Sequence, residues 1–183
     1  YTTFQQNSSG ASDTSSPVIT LRNPANATSN SSRSHVFAIN ISDATGITNA
    51  TLYHNISGSW TANQTNSTIN GNNSVNVSFS IARILPGRYL WNVRSCDNAS
   101  TPNCGFQTLN FTFTVTNNIP DISALTTPDP TPFGNHTINI STNYTDADAD
   151  VGTVCANWSR SNITQLYRQC FTSQTTGSRV NFT

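Results

Sequence analysis

Eighteen asparagines in this chain of 183 residues stand two places before a serine or threonine, with no proline between. They are Asn7, Asn26, Asn30, Asn40, Asn49, Asn55, Asn63, Asn66, Asn72, Asn76, Asn98, Asn110, Asn135, Asn139, Asn143, Asn157, Asn162 and Asn181. That triplet is the acceptor for N-linked glycan transfer. Chance meeting of 25 asparagines with 52 serines and threonines would give about 7 such triplets. A generic polar surface accounts for the asparagine content but not for its phase. N-linked glycans are therefore the expected covalent addition, and an extracellular or cell-surface location follows from them. Several acceptors sit between apolar residues: Asn40 between Ile39 and Ile41, Asn76 between Val75 and Val77, Asn110 between Leu109 and Phe111, Asn139 between Ile138 and Ile140. In a strand, the asparagine and its hydroxyl partner then share the outer face while the apolar neighbours turn inward.

Other chemistry-bearing residues are few. Cys96, Cys104, Cys155 and Cys170 are expected to form disulfides in an exported chain. Three connectivities are open, and pairing in order is the one chosen, 96–104 and 155–170. Asp146, Asp148 and Asp150 alternate along one loop, where carboxylates could wrap Ca²⁺. The spacing follows only the first positions of an EF-hand loop, and an acidic turn capped by its own backbone is the other reading. His35, His54 and His136 fall in separate strand segments without metal spacing. His35 and His136 each precede a core strand and read as polar edge residues. Glutamate is absent, so a glycosidase would rest on that local aspartate cluster alone. No enzyme is expected. Trp60, in a polar connection, reads either as a sugar-stacking platform or as a partly buried loop anchor.

The elements that must carry these groups are strands. From Gly87 to Val115 two alternating runs flank a loop with a cysteine at each end, which predicts a β-hairpin. Tyr89, Trp91 and Val93 share one face of the first run; Leu109, Phe111, Phe113 and Val115 share one face of the second. Upstream, Val18–Leu21, Ser34–Ser42, Asn49–Ile56 and the run Val75, Val77, Phe79, Ile81 predict further short strands. Trp60 to Asn73 reads as a polar connection with a turn at Asn70-Gly71. Six or seven short antiparallel strands over about 100 residues make a sandwich signature. Only 9% of residues are charged, eight Arg against eight Asp, with no Lys, Glu or Met. Zero net charge without a basic run argues against a nucleic-acid partner. No apolar run approaches the roughly 20 residues of a transmembrane helix, and without lysine an isopeptide crosslink is excluded.

Residues 17–117 resemble an immunoglobulin-like or fibronectin-III-like domain of the kind carried in tandem by archaeal cell-surface proteins. The likeness rests on Leu85-Pro-Gly-Arg-Tyr-Leu-Trp-Asn-Val, then Cys96-Asp-Asn, then the alternating strand to Val115. It departs from antibody domains in placing both cysteines in one hairpin. Residues 118–183 begin a second such unit after the boundary at Asn117-Asn118-Ile119-Pro120. A stiff proline-rich connector from Thr127 to Pro132 leads to a strand over His136–Thr145, and Trp158 takes the place of the core tryptophan. The expected fold is all-β: two immunoglobulin-like β-sandwich domains in tandem, the second short of its last strands. Such a gap leaves an unpaired edge. Either the chain is a fragment of a tandem surface-layer or adhesin protein, or the missing strand comes from a neighbour. Residues 1–16, an extended leader, are the candidate donor, and donation would join identical subunits head-to-tail into a homopolymer. This resembles donor-strand exchange in glycosylated archaeal thread-type filaments. None of the 18 acceptors has an acidic residue two positions before it, which leans archaeal or eukaryotic. The expected function is a non-catalytic structural subunit of a heavily N-glycosylated extracellular filament.

Overall fold

The computed structural model describes residues 12–126, 140–159 and 166–182. The chain divides into two compact units, Tyr1–Thr116 and Asn117–Thr183. The first is built around β3, His35–His54, a 20-residue strand of an eight-stranded sheet whose two halves take different partners. In its first half Phe37, Ile39 and Ile41 are buried; in its second half the buried positions are Ala50, Leu52 and His54. Register shifts between Ser42 and Ile47 and between Ile47 and Asn49 separate the halves. A one-residue slip turns every following side chain to the other face, which moves the inward set from odd to even positions. Gly46 makes the break at φ +89°, where a side chain would strike the backbone of Gly71.

Residues 35–42 of β3 lie between β1 (Val18–Asn23) and β5 (Asn72–Ile81). Residues 49–54 lie between β4 (Thr61–Asn66) and β6 (Gly87–Asp97). Beyond β6 come β8 (Phe111–Val115) and, parallel to it, β2 (Thr28–Asn30), while β7 (Cys104–Phe106) pairs with the end of β6. Trp91, fully buried, meets Phe37 edge-on at 5.2 Å and Phe111 at 5.8 Å. The expected hairpin face is present: Trp91, Val93, Phe113 and Val115 are buried, with Tyr89 and Phe111 packed against them. Leu109 is exposed and lies outside β8.

Four expectations change. The strands over 34–42 and 49–56 are one element. The polar connection contains β4, because Thr-Ala-Asn-Gln-Thr-Asn needs no apolar face on a strand paired with β3 alone among the described strands. The pairing of β2 with β8 is parallel where all pairs were expected antiparallel. His35 is buried against the Phe113 ring at 4.9 Å rather than lying at an edge. Asn70-Gly71 does form a turn, with φ 58° and 72°.

The second unit has β9 (Asp121–Thr126), β10 (Ile140–Thr145) and β13 (Ser178–Phe182) in the order β13-β10-β9, and a separate pair, β11 (Gly152–Ser159) with β12 (Leu166–Gln174). This repeats the start of the first unit: β9, β10 and β13 stand as β1, the first half of β3 and β5 do. In the same way β11 and β12 stand as the second half of β3 and β4. β9 was not legible beforehand, since all six of its residues are exposed. Among the described residues, Tyr144, Val154, Val180 and Phe182 are the buried cluster, against sixteen such residues in the first unit. The described residues are all-β and consistent with a β-sandwich, and among them no helix is long and apolar enough to cross a membrane. The Thr127–Pro132 connector, His136, Ile138 and the Trp158 side chain lie outside what is described.

Candidate functional site

Fourteen of the eighteen acceptor asparagines lie among the described residues, and every one of them is exposed or half-buried. Asn7, Asn135, Asn139 and Asn162 lie outside. Asn92, which is not in the triplet, behaves differently. It is buried, its Nδ2 donates to Gln107 O and Asn110 Oδ1, and its Oδ1 accepts from Val93 N. A buried amide must have such partners. Asn26, Asn30, Asn55, Asn66 and Asn110 accept hydrogen bonds through Oδ1 only, from Thr112, Ser32, Leu90, Thr68 and Asn92. Those bonds do not use Nδ2, the atom to which a glycan is transferred.

The second feature is a strand with one partner among the described residues. In the first unit residues 49–54 of β3 have β4 on one side and β6 on the other. Their counterpart β11 pairs, among the described residues, with β12 alone. Ile122 and Leu125 of β9 are 49% and 62% exposed. The leader is also less free than expected over residues 1–16. Asp13 Oδ2 accepts from Thr45 Oγ1 at 2.7 Å, its backbone oxygen accepts from Asn103 Nδ2 at 3.1 Å, and Ser16 lies against Gly105. From Asp13 onward the segment is held by the first unit.

Sequence reasoning missed a carboxylate cluster. Ligand oxygens of Asp13, Asp43 and Asp97 lie within 4.8 Å of one another. Three carboxylates at that spacing suit a hard cation, but protein donors also account for the arrangement. Asp43 accepts from Thr45 N and Oγ1, and Asp97 from Ala99 N, Asn103 N and Asn103 Nδ2. The Ser15 backbone N–H, aided by the Thr45 hydroxyl, holds Asp13 below the usual carboxylate range. For Asp97 burial pushes the pKa up, yet the donors on Asn103 and Ala99 outweigh it and leave it below 3.8. The stabilisation from a depressed carboxylate is full above its unfolded pKa and is lost as pH falls through the lower folded value. Asp97→Asn, which sets an amide N–H against Asn103 Nδ2, therefore destabilises the first unit by about 1–3 kcal/mol at pH 7. The difference from wild type narrows below about pH 4. Urea melts at pH 7 and pH 3 measure it, and an equal deficit at both would refute the assignment.

Asp146, Asp148 and Asp150 form a turn. Asp146 accepts from Asp148 N, Asp148 accepts from Asn118 N and Nδ2, and Tyr144 Oη donates to the Asp150 carbonyl. Burial, then the Asp146 charge, pushes the Tyr144 hydroxyl pKa up. Asp43 closes a similar turn after the first half of β3. The cysteines pair as Cys96–Cys104 and Cys155–Cys170, directly opposite across β6/β7 and β11/β12. His54 is buried and its Nδ1 accepts from Ile56 N. Burial lowers the pKa of both His35 and His54. His136 lies outside the described residues. Trp60 is 42% exposed and stacks on Tyr53 at 6.1 Å, and Tyr53 in turn meets Phe106 edge-on. It is part of a surface aromatic group.

No protein-family model matches the chain, and no curated protein matches it. Among solved structures it is similar to dimeric latent PorU from Porphyromonas gingivalis, at 15% identity and a TM-score of 0.44. That match covers 96% of this chain and 17% of the other.

Proposed function

We propose that the chain is a non-catalytic structural subunit of a heavily N-glycosylated extracellular filament. Each of its two units is immunoglobulin-like, and the second is completed by a strand from the next copy. The observation that carries this reading is β11, which holds the place of a central strand yet has one described partner over a cluster of four buried apolar residues. A strand added there would find backbone donors and acceptors along its whole length and would cover the cluster. Because the giving and receiving surfaces differ, such a contact is heterologous and grows into a filament. The surface acceptors support a glycan coat, and two disulfides suit an oxidising exterior. No metal or cofactor is needed for this role, and calcium at Asp146, Asp148 and Asp150 would add stiffness only. In this reading residues 1–11 give the strand, since Asp13 is already bonded to the first unit.

A second reading fits the same gap: the chain belongs to a longer tandem surface-layer or adhesin protein whose following residues supply the strands. The exposed stack of Trp60 on Tyr53 favours an adhesive surface in that case. Negative-stain electron microscopy of the full chain beside a form lacking residues 1–11 separates the two. Filaments from the full chain and monomers from the shortened form are expected. Monomers or flat lattices from both would end the strand-donation account.

A further inference from the structure

Two acceptor triplets meet across one strand pair: Asn40-Ile41-Ser42 in β3 and Asn76-Val77-Ser78 in β5. Asn40 and Asn76 are directly opposed in the antiparallel register, and in the described registers no other two acceptors face each other. Ile39, Ile41 and Val77 turn into the core, so both amides stand on the outer face. Asn40 Nδ2 donates to Asn76 Oδ1 at 3.2 Å and to Val75 O at 3.5 Å. Thr20 of β1 lies opposite Asn40 on its other side, which leaves Asn40 half-buried, whereas Asn76 is exposed.

Directly opposed strand residues hold their Cβ atoms about 4.5–5.5 Å apart. A pyranose ring with its substituents is wider than that gap, and each sugar would sit one amide group away from its Cβ. We propose that Asn40 and Asn76 act as a single acceptor position, so that a folded chain carries a glycan on one of them and never on both. The proposal rests on the glycosylated reading above. Transfer forms a bond from Nδ2 to the anomeric carbon of an activated glycosyl phosphate, with release of the phosphate ester and of one Nδ2 proton. A strand paired on both edges cannot enter an enzyme cleft, so transfer to Asn40 must precede closure of the sheet. A chain modified at both positions cannot restore this register and is lost before secretion.

The test is a glycan count by intact mass on the full chain secreted from cells whose transferase reads Asn-x-Ser/Thr, each glycan trimmed to its core sugar. Wild type is compared with the double variant N40Q/N76Q. A second double variant, S42A/S78A, abolishes both triplets and leaves the amide pair in place. Each double variant is expected to lose one glycan. Loss of two would show simultaneous occupancy, and loss of none would show that the pair is no acceptor; either overturns the proposal. A chain bare at every asparagine would instead refute the glycosylated reading itself.

Discussion

Replacing Trp91 with alanine lowers the stability of the first unit by about 3–5 kcal/mol, the usual cost of truncating a core tryptophan. Trp91 is fully buried at the centre of the sheet that runs from β4 through β3 and β6 to β8. Its ring holds Phe37 and Phe111 at right angles, two contacts that add to the area it buries. Alanine leaves a hole walled by paired backbone on both sides, which cannot collapse to fill it. Since 1 kcal/mol moves the midpoint of a domain this size by about 4–8 °C, a fall of well over 10 °C is expected in a thermal melt. Trp91→Phe should cost much less. The indole Nε1 is buried without a hydrogen-bond partner, so phenylalanine removes an unsatisfied donor along with part of the ring. If the two variants melt together, the packing account of Trp91 fails.

That hairpin was legible because alternation is a local signal. Tyr89, Trp91 and Val93 announce their shared face within five residues, and Cys96 and Cys104 mark where the chain turns. β4 and β9 were not legible for the converse reason. Thr-Ala-Asn-Gln-Thr-Asn and Asp-Ile-Ser-Ala-Leu-Thr bury little, so their pairing with β3 and β10 is a backbone fact with no side-chain pattern to betray it. His35 depended on distance along the chain: its burial comes from the Phe113 ring, which only the closed sheet brings near. Distance also hid the carboxylate cluster. Asp146, Asp148 and Asp150 drew notice as neighbours, while Asp13, Asp43 and Asp97 meet only when the leader, the bend of β3 and the end of β6 come together. Acceptor triplets are short motifs and could be read at once, but the opposition of Asn40 and Asn76 needed the register.

In the second unit, removing the disulfide by Cys155→Ser/Cys170→Ser is expected to unfold that unit while the first stays native. The crosslink joins residues 15 apart, and closing such a loop contributes about 3 kcal/mol in the chain-entropy account. Among the described residues, four buried apolar side chains and a β11 paired only with β12 leave little to offset that loss, because a unit of this size buries a smaller share of its surface than a larger domain. Cys96→Ser/Cys104→Ser is the control. That bond closes a shorter loop, with residues 8 apart, in a unit with sixteen buried core residues, and the unit should remain folded without it. Amide hydrogen exchange read peptide by peptide distinguishes the units. Protection should vanish over 140–159 and 166–182 in the first variant and persist over 35–54 in both. The same measurement bears on assembly. A strand seated against β11 would restore protection to the cysteine-free second unit in assembled material, since new backbone bonds and apolar cover would replace the lost constraint. Should the isolated variant keep its protection, the second unit would hold by itself, and the proposal of a strand donated to β11 would lose its ground.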